Sequence, residues 1–151
     1  MATAGYSGTP LTQKLGIKEA HKVAIIGSPG GFDLGVLPTG VTVQRGLTGK
    51  ALLDVLVAFV TKRSQLVAQI AACRPRMQPA AGLWIAWPKR ASRVPTDVTE
   101  DTVREVALPT GLVDNKVCAI DDVWSGLRFV YRIVDRPNVA SVARAARAAK
   151  R

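Results

Sequence analysis

The chain is poor in the residues that carry most protein chemistry, with one histidine and two cysteines in 151 residues. Cys73 and Cys118 have no His or Cys at metal-ligand spacing, and two thiols cannot build the disulfide framework of a small secreted domain. Both are expected as buried free thiols, and no metal is expected. His21 precedes the first predicted strand and so lies toward the end of the sheet away from the strand ends, supporting neither a nucleophile paired with histidine nor a proton shuttle. No catalytic residue is picked out on this reading. Long apolar runs are also missing. The longest, Val55 to Val60, is far short of the roughly 20 residues that cross a bilayer, and Met1 to Tyr6 lacks a basic start followed by an apolar stretch. The expectation is a cytoplasmic protein with no membrane contact.

Acids are absent from Val55 through Thr96, an interval that carries Lys62, Arg63, Arg74, Arg76, Lys89, Arg90 and Arg93. The sign then reverses. Asp97, Glu100, Asp101, Glu105, Asp114, Asp121 and Asp122 face only Arg104 and Lys116, and the final segment from Arg136 to Arg151 adds five cations without an anion. Half of the formal net charge of +10 therefore sits at the end of the chain.

What is abundant is aliphatic. Apolar residues make up 48% of the chain and aromatics 5%, which fits a core of Val, Ile, Leu and Ala in strands covered on both faces. The length suits one domain, expected over residues 1–135, with residues 136–151 as a basic tail that is frayed or helical. Thr9-Pro10 reads as a capped helix start closed by Gly16. Strands are expected at Lys22–Ile26, Thr42–Arg45, Leu53–Val60 and Leu83–Trp87. A helix from about Lys62 repeats Leu66, Val67, Ile70 and Ala71 at helical spacing until Pro75 stops it. Thr99 opens a third helix with Val103, Val106 and Ala107 on one face, broken by Gly111. Val117–Ile120 and Leu127–Val134 read as a hairpin whose second strand, with Arg128 and Arg132 on one face, is expected half exposed or near an edge. There are no internal repeats.

That order of elements predicts an α/β fold: a mainly parallel, Rossmann-like sheet flanked by helices and ending in an antiparallel hairpin. It resembles the second half of a class I methyltransferase sheet in shortened, degenerate form. The segments from Gly5 to Leu11, Gly82 to Lys89, Gly111 to Ile120 and Trp124 to Leu127 resemble a bacterial family known as domain of unknown function 3052, over about Gly5 to Arg132. That resemblance implies the fold and brings no established activity with it.

In such sheets ligands bind beyond the carboxyl ends of the strands, where the direction of connection switches. The expected rim collects Ser28, Gly30 and Gly31 after the first strand, Lys62 and Arg63 after the third, Trp87, Lys89 and Arg90 after the fourth, and Asp121, Trp124 and Ser125 in the hairpin. The glycine turn invites a nucleotide. Against that, Ile25 stands where methyltransferases carry an acid in their first motif, Gln44 and Arg45 stand where a carboxylate would hold ribose, and Gly35, Pro38 and Gly40 leave little room for a phosphate-facing helix. No resident cofactor is expected. Trp84 and Trp87 should point to opposite faces, Trp84 into the core. Asp121 and Asp122 are weighed as an acid and base pair against the commoner role of satisfying turn amides.

The leading expectation is a binding or regulatory module, not catalytic, whose cation-lined crevice takes an anionic small molecule or an acidic protein. One alternative is an atypical S-adenosylmethionine-dependent methyltransferase using Ser28 to Gly31 and Trp87. A second is a nucleic-acid accessory protein that makes weak, non-specific phosphate contacts through Arg144, Arg147, Lys150 and Arg151. Oligomeric state is not legible.

Overall fold

Short aliphatic strands separated by glycine-rich turns have one stable outcome when both faces must be covered, a sheet sandwiched between helices and loops. A computed structural model describes it over residues 9–132. The elements are α1 (Leu11–Leu15), β1 (Lys22–Ile26), β2 (Thr42–Arg45), β3 (Leu53–Phe59), α2 (Arg63–Cys73), β4 (Met77–Pro88), α3 (Glu100–Ala107), β5 (Leu112–Ala119) and β6 (Trp124–Tyr131). They form one six-stranded sheet in the order β2-β1-β3-β4-β6-β5. β2, β1, β3 and β4 run parallel, while β6 is antiparallel to both β4 and β5. The α/β sheet with a closing antiparallel hairpin is the fold that the order of elements predicts.

Two layers cover the sheet. On one face Leu66 and Ile70 of α2 and Val103 and Ala107 of α3 pack on Leu56, Leu83, Leu127 and Phe129. On the other, Leu15 of α1, Ile17 before β1 and Leu34 after it pack on Ile25, Val57, Trp84 and Ile120. Trp84 is fully buried and donates its indole N–H to the Leu15 carbonyl at 3.1 Å, so one residue fills the core and pins α1. Capping is local and follows the sequence at α3, where the Thr99 hydroxyl accepts the Thr102 N–H at 3.2 Å. At α1 the N-cap is Pro10 itself, one residue later than the hydroxyl cap expected, and Pro10 makes no side-chain cap bond.

One strand differs from the pattern. β4 begins at Met77, well before Leu83, because Met77 pairs with Leu53 before the register skips to Val55 and Gly82. Pro79 falls in that skip, where no ladder N–H is needed. β6 lies near an edge as expected, with only β5 outside it. Its Arg128 is half-buried over Gly82, where an added Cβ would run into the guanidinium, and burial lowers the Arg128 pKa. Cys73 is buried and burial pushes its thiol up to about 12, whereas Cys118 is half-buried and raised by the same cause. Among the described residues no helix is long and apolar enough to cross a membrane. The basic tail, with Arg144, Arg147, Lys150 and Arg151, lies outside the described residues.

Candidate functional site

Parallel pairing brings the ends of β1, β3 and β4 to one rim. β5 points the same way, so the hairpin turn returns to that rim, where Lys89 N–H donates to the Val123 carbonyl at 2.7 Å. β1 lies between β2 and β3. The chain leaves β1 to one side and later crosses to the other, which makes the end of β1 the switch point of the sheet.

At that point the backbone turns through Gly27 with φ +66°, and a Cβ there would lie 3.0 Å from the Phe59 carbonyl oxygen. Only glycine permits both the positive φ and the approach to β3. Gly30 and Gly31 are exposed and have open space where a side chain would stand. Among the described residues no helix lies between β1 and β2, in agreement with the glycines and proline of that loop. Arg45 ends β2 and donates from Nη1 to the Ser28 hydroxyl at 3.2 Å. An arginine and a serine thus share the corner where this fold usually offers ribose a carboxylate. Beneath it Phe32 meets Phe59 edge-on with centroids 4.8 Å apart, and Phe59 meets Trp124 in the same way at 5.0 Å.

The remaining candidates divide. Arg63 is partnered after all: its Nη1 pairs with Glu105 at 3.1 Å, and its backbone N–H donates to Asp97. The acid-free interval around it is relieved from across the fold, which sequence distance concealed. Trp87 is buried in the core on the α2 and α3 face, leaving only its edge to the rim, and Trp124 is a packing residue. Asp121 accepts the N–H groups of Val123 and Trp124, both at 2.8 Å, so it builds the hairpin turn. Ser125 sits half-buried in the ladder opposite Trp87. Lys62, Lys89 and Arg90 reach the rim, and among the described residues none of them is in an ion pair. His21 lies at the opposite end, its Nδ1 accepting the Lys18 N–H.

Beside the β4 end is a cleft of about 460 Å³ whose lining includes Trp87, Arg90, Arg93, Pro95 and Thr99. Arg93 was not among the candidates that sequence selects. Its signal was available only as one more cation in a run of cations, and the turn that presents it is a product of folding. Among the described residues no group of His, Cys, Asp or Glu is placed to hold a metal.

The sheet order, the switch point and the hairpin together define the fold of class I S-adenosylmethionine-dependent methyltransferases. No family model and no curated protein matches the chain, so the family resemblance read from the segments above has no support from either. Solved structures do match. A SAM-dependent methyltransferase from Aquifex aeolicus aligns at a TM-score of 0.57 and 15% identity, over 79% of this chain and 86% of that one. A TehB-like SAM-dependent methyltransferase from Corynebacterium glutamicum aligns at 0.55 and 13% identity, over 85% and 91%. Aeropyrum pernix fibrillarin with natively bound S-adenosyl-L-methionine aligns at 0.53 and 13%, over 83% and 70%. At these identities the likeness is one of fold. It nonetheless overturns the leading expectation, because solved structures that share this sheet over most of the chain include SAM-dependent methyltransferases. The non-catalytic binding module, and with it the preference against an enzyme, is therefore set aside.

Proposed function

We propose that the chain is an atypical S-adenosylmethionine-dependent methyltransferase working at the rim formed by the ends of β1, β3 and β4. One observation carries the reading: a glycine turn at the switch point, with Gly27 pressed on β3 and open space beside Gly30 and Gly31. Open α/β sheets take nucleoside ligands at that place, since a backbone without side chains allows close approach. The fold of the solved methyltransferases supports it.

The residues fit the cofactor with one exchange. Backbone N–H groups of Ser28, Gly30 and Gly31 would face it, while Arg45 and the Ser28 hydroxyl offer donors to ribose oxygens in place of the usual carboxylate acceptor. When bound, S-adenosylmethionine supplies a methyl group from its sulfonium to a nucleophilic atom of the acceptor, leaving S-adenosylhomocysteine and a proton. The protein's part is to position the two reactants and exclude water. Phe32 and Phe59, packed below the turn, supply the apolar floor.

Calorimetry with S-adenosylhomocysteine tests this directly. The expected result is saturable one-to-one binding, weakened about tenfold or more in Gly30→Val, a change that fills open space and leaves the fold intact. No binding at millimolar ligand overturns the proposal.

A further inference from the structure

We infer that the methyl acceptor is a small molecule with a carboxylate or phosphate on a flat apolar body, held in the cleft between the end of β4 and the start of α3. The word acceptor rests on the methyltransferase reading, whereas the chemistry of the ligand rests on the cleft alone. Its volume of about 460 Å³ suits a single small molecule. Trp87, Pro88, Val94 and Pro95 make an apolar wall, and Arg90 and Arg93 stand beside it. The one carboxylate in the lining, Glu100, is already held by Arg104 at 2.5 Å. Among the described residues neither Arg90 nor Arg93 is in an ion pair, so the lining holds two arginines whose charge no carboxylate pairs. A planar guanidinium matches the two oxygens of a carboxylate or phosphate better than any other side chain does.

The backbone supports the assignment. Arg93 has φ 60° and ψ 13°, a left-handed conformation that suits glycine or asparagine and costs a longer side chain free energy. The turn is enforced locally, because Arg93 N–H donates to the Arg90 carbonyl at 3.2 Å while the Ser92 N–H and hydroxyl donate to the Lys89 carbonyl at 3.0 and 2.6 Å. The far wall is tied to the turn that follows β3: the Thr96 hydroxyl and the Asp97 N–H both donate to the Thr61 carbonyl, at 2.6 and 3.2 Å. β3 is the strand on which Gly27 presses. The cleft therefore opens on the same rim as the glycine turn, as an acceptor site must if it is to meet a methyl donor.

The test uses the full chain and matched pairs of probes, para-hydroxybenzoate against para-hydroxybenzamide and adenosine monophosphate against adenosine, with a short single-stranded oligonucleotide as a further arm. Calorimetry and tryptophan fluorescence should find the charged member of at least one pair bound about tenfold tighter than its neutral partner. That preference should disappear in Arg90→Ala and in Arg93→Gly. The second variant relieves the positive φ, so its Tm should hold or rise, and lost binding cannot then be lost folding. Equal affinity within both pairs, no binding by any probe, binding by the oligonucleotide alone, or a preference that survives Arg93→Gly overturns the inference. A parallel titration with S-adenosylhomocysteine separates the two proposals. If it binds while the anion preference is absent, only the acceptor site falls. If the preference is present and it does not bind, the cleft ligand stands and the transfer reading falls.

Discussion

The two halves of the sheet are built differently. β3 and the later part of β4 are buried on both faces, with every residue from Val55 to Val60 and from Ala81 to Pro88 enclosed. β2 is exposed along most of its length, and the loop that leads to it leaves Val36 93% exposed. The glycine turn of the proposed cofactor site lies at the seam, at the end of the strand that joins the halves. A rigid half fixes where the site is, and a thinly packed half leaves room for a ligand to complete it.

Breaking the rigid half should have the largest effect. Trp84→Ala removes a fully buried side chain and its bond to Leu15, and should cost about 3–5 kcal/mol by urea denaturation, enough to unfold a marginal domain. A change of pH strikes the same half through Cys73. The folded thiol keeps its proton up to about 12, against an ordinary value of 9.0, so the unfolded chain alone loses the proton in between. Stability should be unaffected by this group below pH 9 and fall by about 2 kcal/mol by pH 10.5, with Cys118 and Tyr131 acting in the same direction. Urea midpoints across that range should fall less steeply in Cys73→Ala.

The seam and the thin half should respond less. Arg76 reaches from the turn before β4 to the carbonyls of Leu47, Thr48 and Ala51, so it fastens the connection between β2 and β3. Arg76→Ala should cost about 1–2 kcal/mol and raise amide exchange in β2 and its loops before β3 and β4. The smallest change expected is at the α3 cap, where Thr99→Ala should lower stability by about 1 kcal/mol in the same denaturation assay.

Much of the fold was legible because its signals are local. Lys22–Ile26, the hairpin around Asp121 and Asp122, and the Thr99 cap depend on residues a few positions apart, and the structure has them close to where the patterns predict. Trp84 and Trp87 fall on opposite faces for the same reason, since a strand alternates. The site was legible in outline only. Ser28, Gly30 and Gly31 could be assigned to a turn at a strand end, but nothing near them in sequence tells that Arg45 bonds to Ser28. Arg63 read as an unpaired cation because its partner, Glu105, is 42 residues away.

By itself, then, the sequence determined the elements: aliphatic strands long enough to be buried on both faces, glycines where the chain must turn, and hydroxyls and prolines at helix starts. These follow from backbone sterics and from hydrogen bonds within a few residues. Only the tertiary structure decided which cations keep a free charge, which aromatic rings pack on one another below the glycine turn, and that Arg93 joins Arg90 beside a cleft. Charge pairing and packing act through space, and the distance between two groups is set only when the whole sheet has closed around them.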